Sequence, residues 1–129
     1  MSEPAAHPAR PAWLPLPAAG VCAVPCGRYF DAVLVDAFDA VRALARIRHR
    51  SGPVIEDQIA DAVTWFVPVG AADAWQLAGV RVLRRGHEVR VPPPGWQGAI
   101  RWLMEPPAVG DCLTRPALLH IALGEAGRG

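Results

Sequence analysis

Lysine and asparagine are missing from this chain of 129 residues, and all 13 of its basic residues are arginine. Both missing residues are common on protein surfaces and have AT-rich codons. Their loss marks a GC-rich genome, such as that of an actinobacterium, and says nothing about function. An excess of charge is lacking too. The formal net charge is +1, so there is no global field to gather nucleic acid or an anionic membrane. No apolar run reaches the roughly 18 residues that a membrane span needs. Prolines interrupt Trp13-Leu14-Pro15-Leu16-Pro17, where a secretory leader would need a continuous apolar core. The expectation is a cytoplasmic protein with no membrane partner.

Cysteine is scarce and odd in number: Cys22, Cys26 and Cys112. In a reducing compartment these read as small buried hydrophobes. Cys22 and Cys26 form one closely spaced couple, whereas a structural zinc site usually combines two. Nothing nearby in sequence activates Cys26 as a nucleophile. Glycines fall at turns and form neither a phosphate loop nor a dinucleotide fingerprint. No catalytic residue, metal or cofactor is therefore expected.

What is present is 52% hydrophobic, enough for a core and too much for intrinsic disorder. Residues 1–19 read as a proline- and alanine-rich tail, residues 20–123 as one α+β domain, and residues 124–129 as a flexible tail. Strands are expected at 21–24 and 29–36, joined as a hairpin by Pro25-Cys26-Gly27-Arg28. A helix follows over 38–50, with Phe38, Val41, Leu44 and Ala45 on its apolar face and Asp36 or Asp39 near its N-terminus. Ser51-Gly52-Pro53 stops it. A second hairpin pairs 54–57 with 62–67 across the polar turn 57–61. Residues 70–77 read as a short helix anchored by Trp75. A third hairpin pairs 80–83 with 87–91, in which Val89 and Val91 alternate with Glu88 and Arg90. An edge strand at 100–104 and a final helix through Leu123, capped by Thr114 with Pro116 in its first turn, complete the pattern. The fold class is α+β: an antiparallel or mixed sheet of hairpins with two or three helices packed on one face.

Two arginine clusters stand out. Arg42, Arg46 and Arg50 recur every four residues along the first helix, and Arg84, Arg85 and Arg90 flank the tip of the third hairpin. Such stripes contact phosphates or form solvated faces, and they act together only if they share one side. Trp65, Trp75 and Trp102 fall in patterned segments and read as core. Trp96 lies in a loop, where it either stacks a base or protein partner or folds back over the sheet.

The order of these pieces resembles the bifunctional DNA primase/polymerase N-terminal domains. The likeness rests on three stretches: 32–38 (Ala-Val-Leu-Val-Asp-Ala-Phe), 61–68 (Asp-Ala-Val-Thr-Trp-Phe-Val-Pro), and the strand pair from Gly79 into Pro92-Pro93-Pro94. Members of that family hold two metal ions with clustered carboxylates. The resemblance places the first carboxylate at Asp36, the second at Phe38, the histidine at Val63 or Thr64, and the third carboxylate at Arg81. Three of the four positions have lost the required chemistry. The resemblance thus implies a shortened, degenerate relative: a non-catalytic binding or regulatory module contacting single-stranded nucleic acid or a nucleotide through Arg42, Arg46, Arg50, Arg84, Arg85, Arg90 and Trp96. The alternative is a protein–protein interaction or assembly module, forming a homodimer or binding another protein, with no nucleic-acid role. A third reading is an enzyme with a rearranged site drawn from Asp31, Asp36, Glu56, Asp57 and Asp61.

Overall fold

The computed structural model describes residues 19–107 and 113–127. In chain order the elements are β1 (Cys22–Pro25), β2 (Asp31–Asp36), α1 (Ala37–Ile47), a 3-10 turn (Arg48–Arg50), β3 (Val54–Asp57), β4 (Ala62–Val67), β5 (Val80–Leu83), β6 (Glu88–Val91), β7 (Ile100–Met104) and α2 (Pro116–Gly127). Five strands form one antiparallel sheet in the order β5-β2-β4-β3-β7, and β1 and β6 form a separate antiparallel ribbon. The fold is α+β, as the strand and helix patterns predict.

Strand alternation sorts the side chains into two cores. Val33, Val35, Val54, Val63, Trp65 and Val67 meet Ala40, Ala43 and Ile47 of α1 and Leu119, Ala122, Leu123 and Ala126 of α2. Their neighbours Ala32, Ile55, Phe66 and Leu83 point the opposite way, against Val89 and Val91 of the ribbon and Phe30, Ile100 and Trp102. The molecule is therefore layered: helices, sheet, ribbon. Covered on both faces, β4 is buried at all six positions, which explains its unbroken apolar run.

Local chemistry sets several boundaries as expected. Asp36 is the N-cap of α1 and accepts the Asp39 N–H at 3.1 Å. The β3–β4 hairpin closes through Asp57, whose Oδ1 accepts the N–H groups of Ile59 and Ala60, both at 3.0 Å. Among the described residues β7 is an edge strand, paired with β3 alone.

Other expectations are corrected. β1 does not pair with β2, whose two edges are taken by β4 and β5; β1 pairs with β6 instead. β5 and β6 do not form a hairpin either. Their link turns at Arg84–His87 and carries the chain from the sheet into the ribbon, so Leu83 and Val89 lie in one core on opposite layers. The short helix expected at 70–77 is instead a run of turns ending at residue 74, with the N–H groups of Ala71, Asp73 and Trp75 each donating three residues back. Trp75 still packs on the core, edge-on to His120 at 5.0 Å.

α1 ends at Ile47, short of Arg50, because Arg48 adopts φ 49 and leaves the helical region. Thr114 does not cap α2. Its hydroxyl accepts the Gly52 N–H at 2.9 Å and ties the start of α2 to the end of the first helical segment. The expected tail at 124 is the last turn of α2, which runs through Gly124 to Gly127. The tail expected at 1–19 lies almost wholly outside the described residues. Among the described residues, no helix is long and apolar enough to cross a membrane.

Candidate functional site

The six arginines do not assemble on one layer. Arg42 and Arg46 belong to α1, and Arg50 to the turn after it, on the helix side of the sheet. Arg90 lies on β6 of the ribbon, with its side facing solvent opposite Ala23, and Arg85 lies in the turn leading to that strand. Two of the six are already engaged. The Arg46 Nε donates to Glu125 Oε1 of α2 at 3.1 Å. The Arg84 Nε donates to Asp73 Oδ1 at 2.7 Å, and its Nη2 donates to the Asp73 carbonyl at 3.0 Å. Arg50 borders a shallow depression of about 470 Å³ with Arg115, Leu118 and Ile121. Trp96 is 38% exposed in the loop between β6 and β7, with its indole nitrogen against Gly98. That loop is lined by Arg101 and Glu105, around a depression of about 550 Å³.

The positions singled out by the primase/polymerase resemblance also separate. Asp36 is occupied as a helix cap. Phe38 points into solvent at 71% exposure. Val63 is in the helix-side core, while Thr64 is buried facing the ribbon. Thr64 and the exposed Arg81 flank Leu34 on neighbouring strands. Asp36 and Asp39 both approach Gly79. Partial burial, then the adjacent Asp36 carboxylate, raises the Asp39 pKa above its ordinary value. No group of three or more histidine, cysteine, aspartate or glutamate side chains among the described residues is placed to hold a metal ion.

The acids of the rearranged-site reading are likewise dispersed over structural tasks. Asp31 is buried at 1% exposure and accepts the Gly70 N–H at 2.9 Å, leaving its Oδ1 without a partner. Glu56 accepts the Arg101 Nε at 2.9 Å, and Asp57 holds the β3–β4 turn. Asp61 takes φ 56 in that turn. Between sheet and ribbon a crevice of about 180 Å³ is lined by Leu34, Ile55, Thr64, Glu88 and Arg90, among others. Cys26 is buried, and desolvation followed by the nearby Asp31 charge pushes its pKa up to about 12. Cys22 is exposed, and Cys112 lies outside the described residues.

The feature that sequence reasoning missed is an apolar face left uncovered. On α1 the core side is Ala40, Ala43 and Ile47, so Phe38 and Val41 turn outward, at 71% and 63% exposure. The Arg42 guanidinium lies 5.6 Å from the Phe38 ring centroid, and its Nε is buried without a hydrogen-bond partner. On α2, Ile121 is 60% exposed. The signal was present in sequence: α1 carries apolar residues on two sides, more than one contact can bury. Comparison of the chain with protein-family models, curated proteins and solved structures finds no match.

Proposed function

We propose that this domain is a protein-binding module whose contact face is the outer side of α1, extended by α2. One observation carries the reading: Phe38 and Val41 stand 71% and 63% exposed on one face of a short helix whose opposite face already fills the core. Scattered single hydrophobes need no explanation, but two on adjacent turns, one of them covered by an arginine, make a patch suited to a partner. Arginine and aromatic residues are the types enriched at such contacts. The test is site-specific photocrosslinking from position 41 in cells of the source organism, with Ile59 as control. Ile59 is 75% exposed in the β3–β4 turn. Discrete crosslinked protein from position 41 and none from position 59 is the expected result. No product at position 41 would end this reading.

A second reading keeps the likeness to primase/polymerase domains, as a non-catalytic module for single-stranded nucleic acid or a nucleotide. It is supported by Arg85, Arg90 and Trp96 in the ribbon and its flanking loops, where neither arginine has an acidic partner among the described residues. Anisotropy titration with labelled single-stranded DNA tests it. Binding that weakens steeply with salt, and further in an Arg85→Ala/Arg90→Ala variant, is expected. Absence of binding at low salt rejects it.

A further inference from the structure

We propose that the crevice between the sheet and the ribbon binds a small uncharged molecule, a single ring or short branched chain carrying one hydrogen-bonding group. The crevice lies across the sheet from α1 and requires neither the contact face nor nucleic acid. It follows from a mismatch in size between two layers. The ribbon has two strands of four residues, whereas the sheet has five strands, of which β2 and β4 run to six residues. The ribbon therefore leaves part of the sheet open. Leu34, Thr64 and Ile55 are paired neighbours on β2, β4 and β3. Together they make a floor about 10 Å across. Leu83 of the sheet and Val89 of the ribbon make apolar walls.

Thr64 is the exception in this apolar lining. It is 5% exposed and faces the ribbon. Its hydroxyl is engaged by no group among the described residues, yet it is not sealed off from the crevice. Valine has the same shape and fills Val33, Val35, Val63 and Val67 on the same two strands. At position 64 valine would avoid burying an unpaired hydroxyl. A hydroxyl both donates and accepts, so it matches a hydroxyl, carbonyl or amide on the ligand. Charge does not select an ion here. Asp57 and Glu88 offset Arg90 around the crevice, and the floor itself carries no charged side chain. The volume of about 180 Å³ sets the size. An apolar cavity of about 150 Å³ holds benzene, so this one takes a ring with one substituent. Apolar walls around a single polar contact are the usual make-up of a small-molecule site.

Nitrogen-15 NMR titration of the full chain tests this, with phenol, toluene and benzoate as probes. Phenol is expected to shift the amides of Leu34, Ile55, Thr64 and Val89 together and saturably, with a Kd of roughly 1 mM. Toluene has the same size without the hydroxyl and is expected to bind about fivefold more weakly. Benzoate is expected to bind no more tightly than phenol. Thr64→Val keeps the wall and removes the hydrogen-bonding partner. It should abolish the advantage of phenol while toluene binds at least as well, which also shows that the variant is folded. The comparison of phenol with toluene in the wild type stands without any variant. Phenol that leaves these four amides unmoved, as in a crevice that holds only water, overturns the proposal. So does equal binding of phenol and toluene by the wild type, or a benzoate affinity well above that of phenol.

Discussion

Gly27 and Arg85 touch through their backbones: a methyl group at Gly27 would lie 2.7 Å from the Arg85 Cα. Gly27 also holds φ 91, which side-chain-bearing residues rarely adopt, and its N–H donates to the Phe30 carbonyl at 2.7 Å. This contact is where the chain leaves the ribbon for the sheet and where the returning β5–β6 link passes. Gly27→Ala combines strain with a backbone clash that no rotamer relieves. It is expected to cost about 2–4 kcal/mol, or roughly 10–20 °C in Tm. Gly95→Ala, at φ 71 with nothing within 4 Å, carries strain alone and is expected to cost about 1 kcal/mol. Thermal melts of the two variants side by side check the difference.

Phe66 joins the sheet to the ribbon-side core. Its ring meets Phe30 edge to face at 4.8 Å, with Trp102 tilted at 6.2 Å. Phe66→Ala empties the centre of that core and is expected to cost about 3–5 kcal/mol, a large share of a small domain's stability. Phe66→Leu fills much of the volume and should lose markedly less. Urea unfolding midpoints of the two variants measure both effects.

The cysteines should differ sharply in reactivity. With its pKa pushed up to about 12 by burial and by Asp31, the Cys26 thiol is protonated throughout the neutral range. Cys22 is exposed. Timed alkylation of the native protein at pH 8, read by peptide mass mapping, is expected to modify Cys22 promptly and Cys26 only after denaturant is added. Equal rates at both sites would mean that the ribbon does not cover the sheet as described.

A raised Asp39 pKa has a definite sign in stability. The folded state holds that proton more tightly than the unfolded chain does. Its favourable contribution is therefore complete below the ordinary carboxylate pKa and is lost as pH rises through the raised one. Asp39→Asn removes the repulsion from Asp36 while leaving the backbone N–H that Asp36 accepts. The variant is expected to melt slightly above wild type at pH 8, with the gap closing toward pH 4. A gap that widens on acidification would contradict the carboxylate pairing.

Much of the secondary structure was legible because its causes are local. β4 betrays its burial by an apolar run, the β3–β4 turn by Asp57, and the start of α1 by Asp36. β5 and β6 were also legible as strands, but not their partners, since alternation at Val89 and Val91 says that one face is buried and not against which layer. The candidate face on α1 failed for a related reason. Phe38, Val41, Leu44 and Ala45 are the more conspicuous hydrophobes of the helix, yet the structure buries Ala40, Ala43 and Ile47, because small side chains let α1 lie close against the sheet and α2.

The sequence by itself determined the α+β class, the positions of most strands, the Asp36 cap of α1, the β3–β4 turn and the near-neutral charge. These follow from residue chemistry over a few positions along the chain. Only the tertiary structure decided that β1 and β6 form a layer of their own and that Arg42 and Arg46 on α1 lie across the sheet from Arg90 on β6. It also left Phe38 and Val41 facing solvent. Those outcomes depend on which of several comparable apolar surfaces pack against one another, a competition between segments far apart in the chain that local pattern does not record.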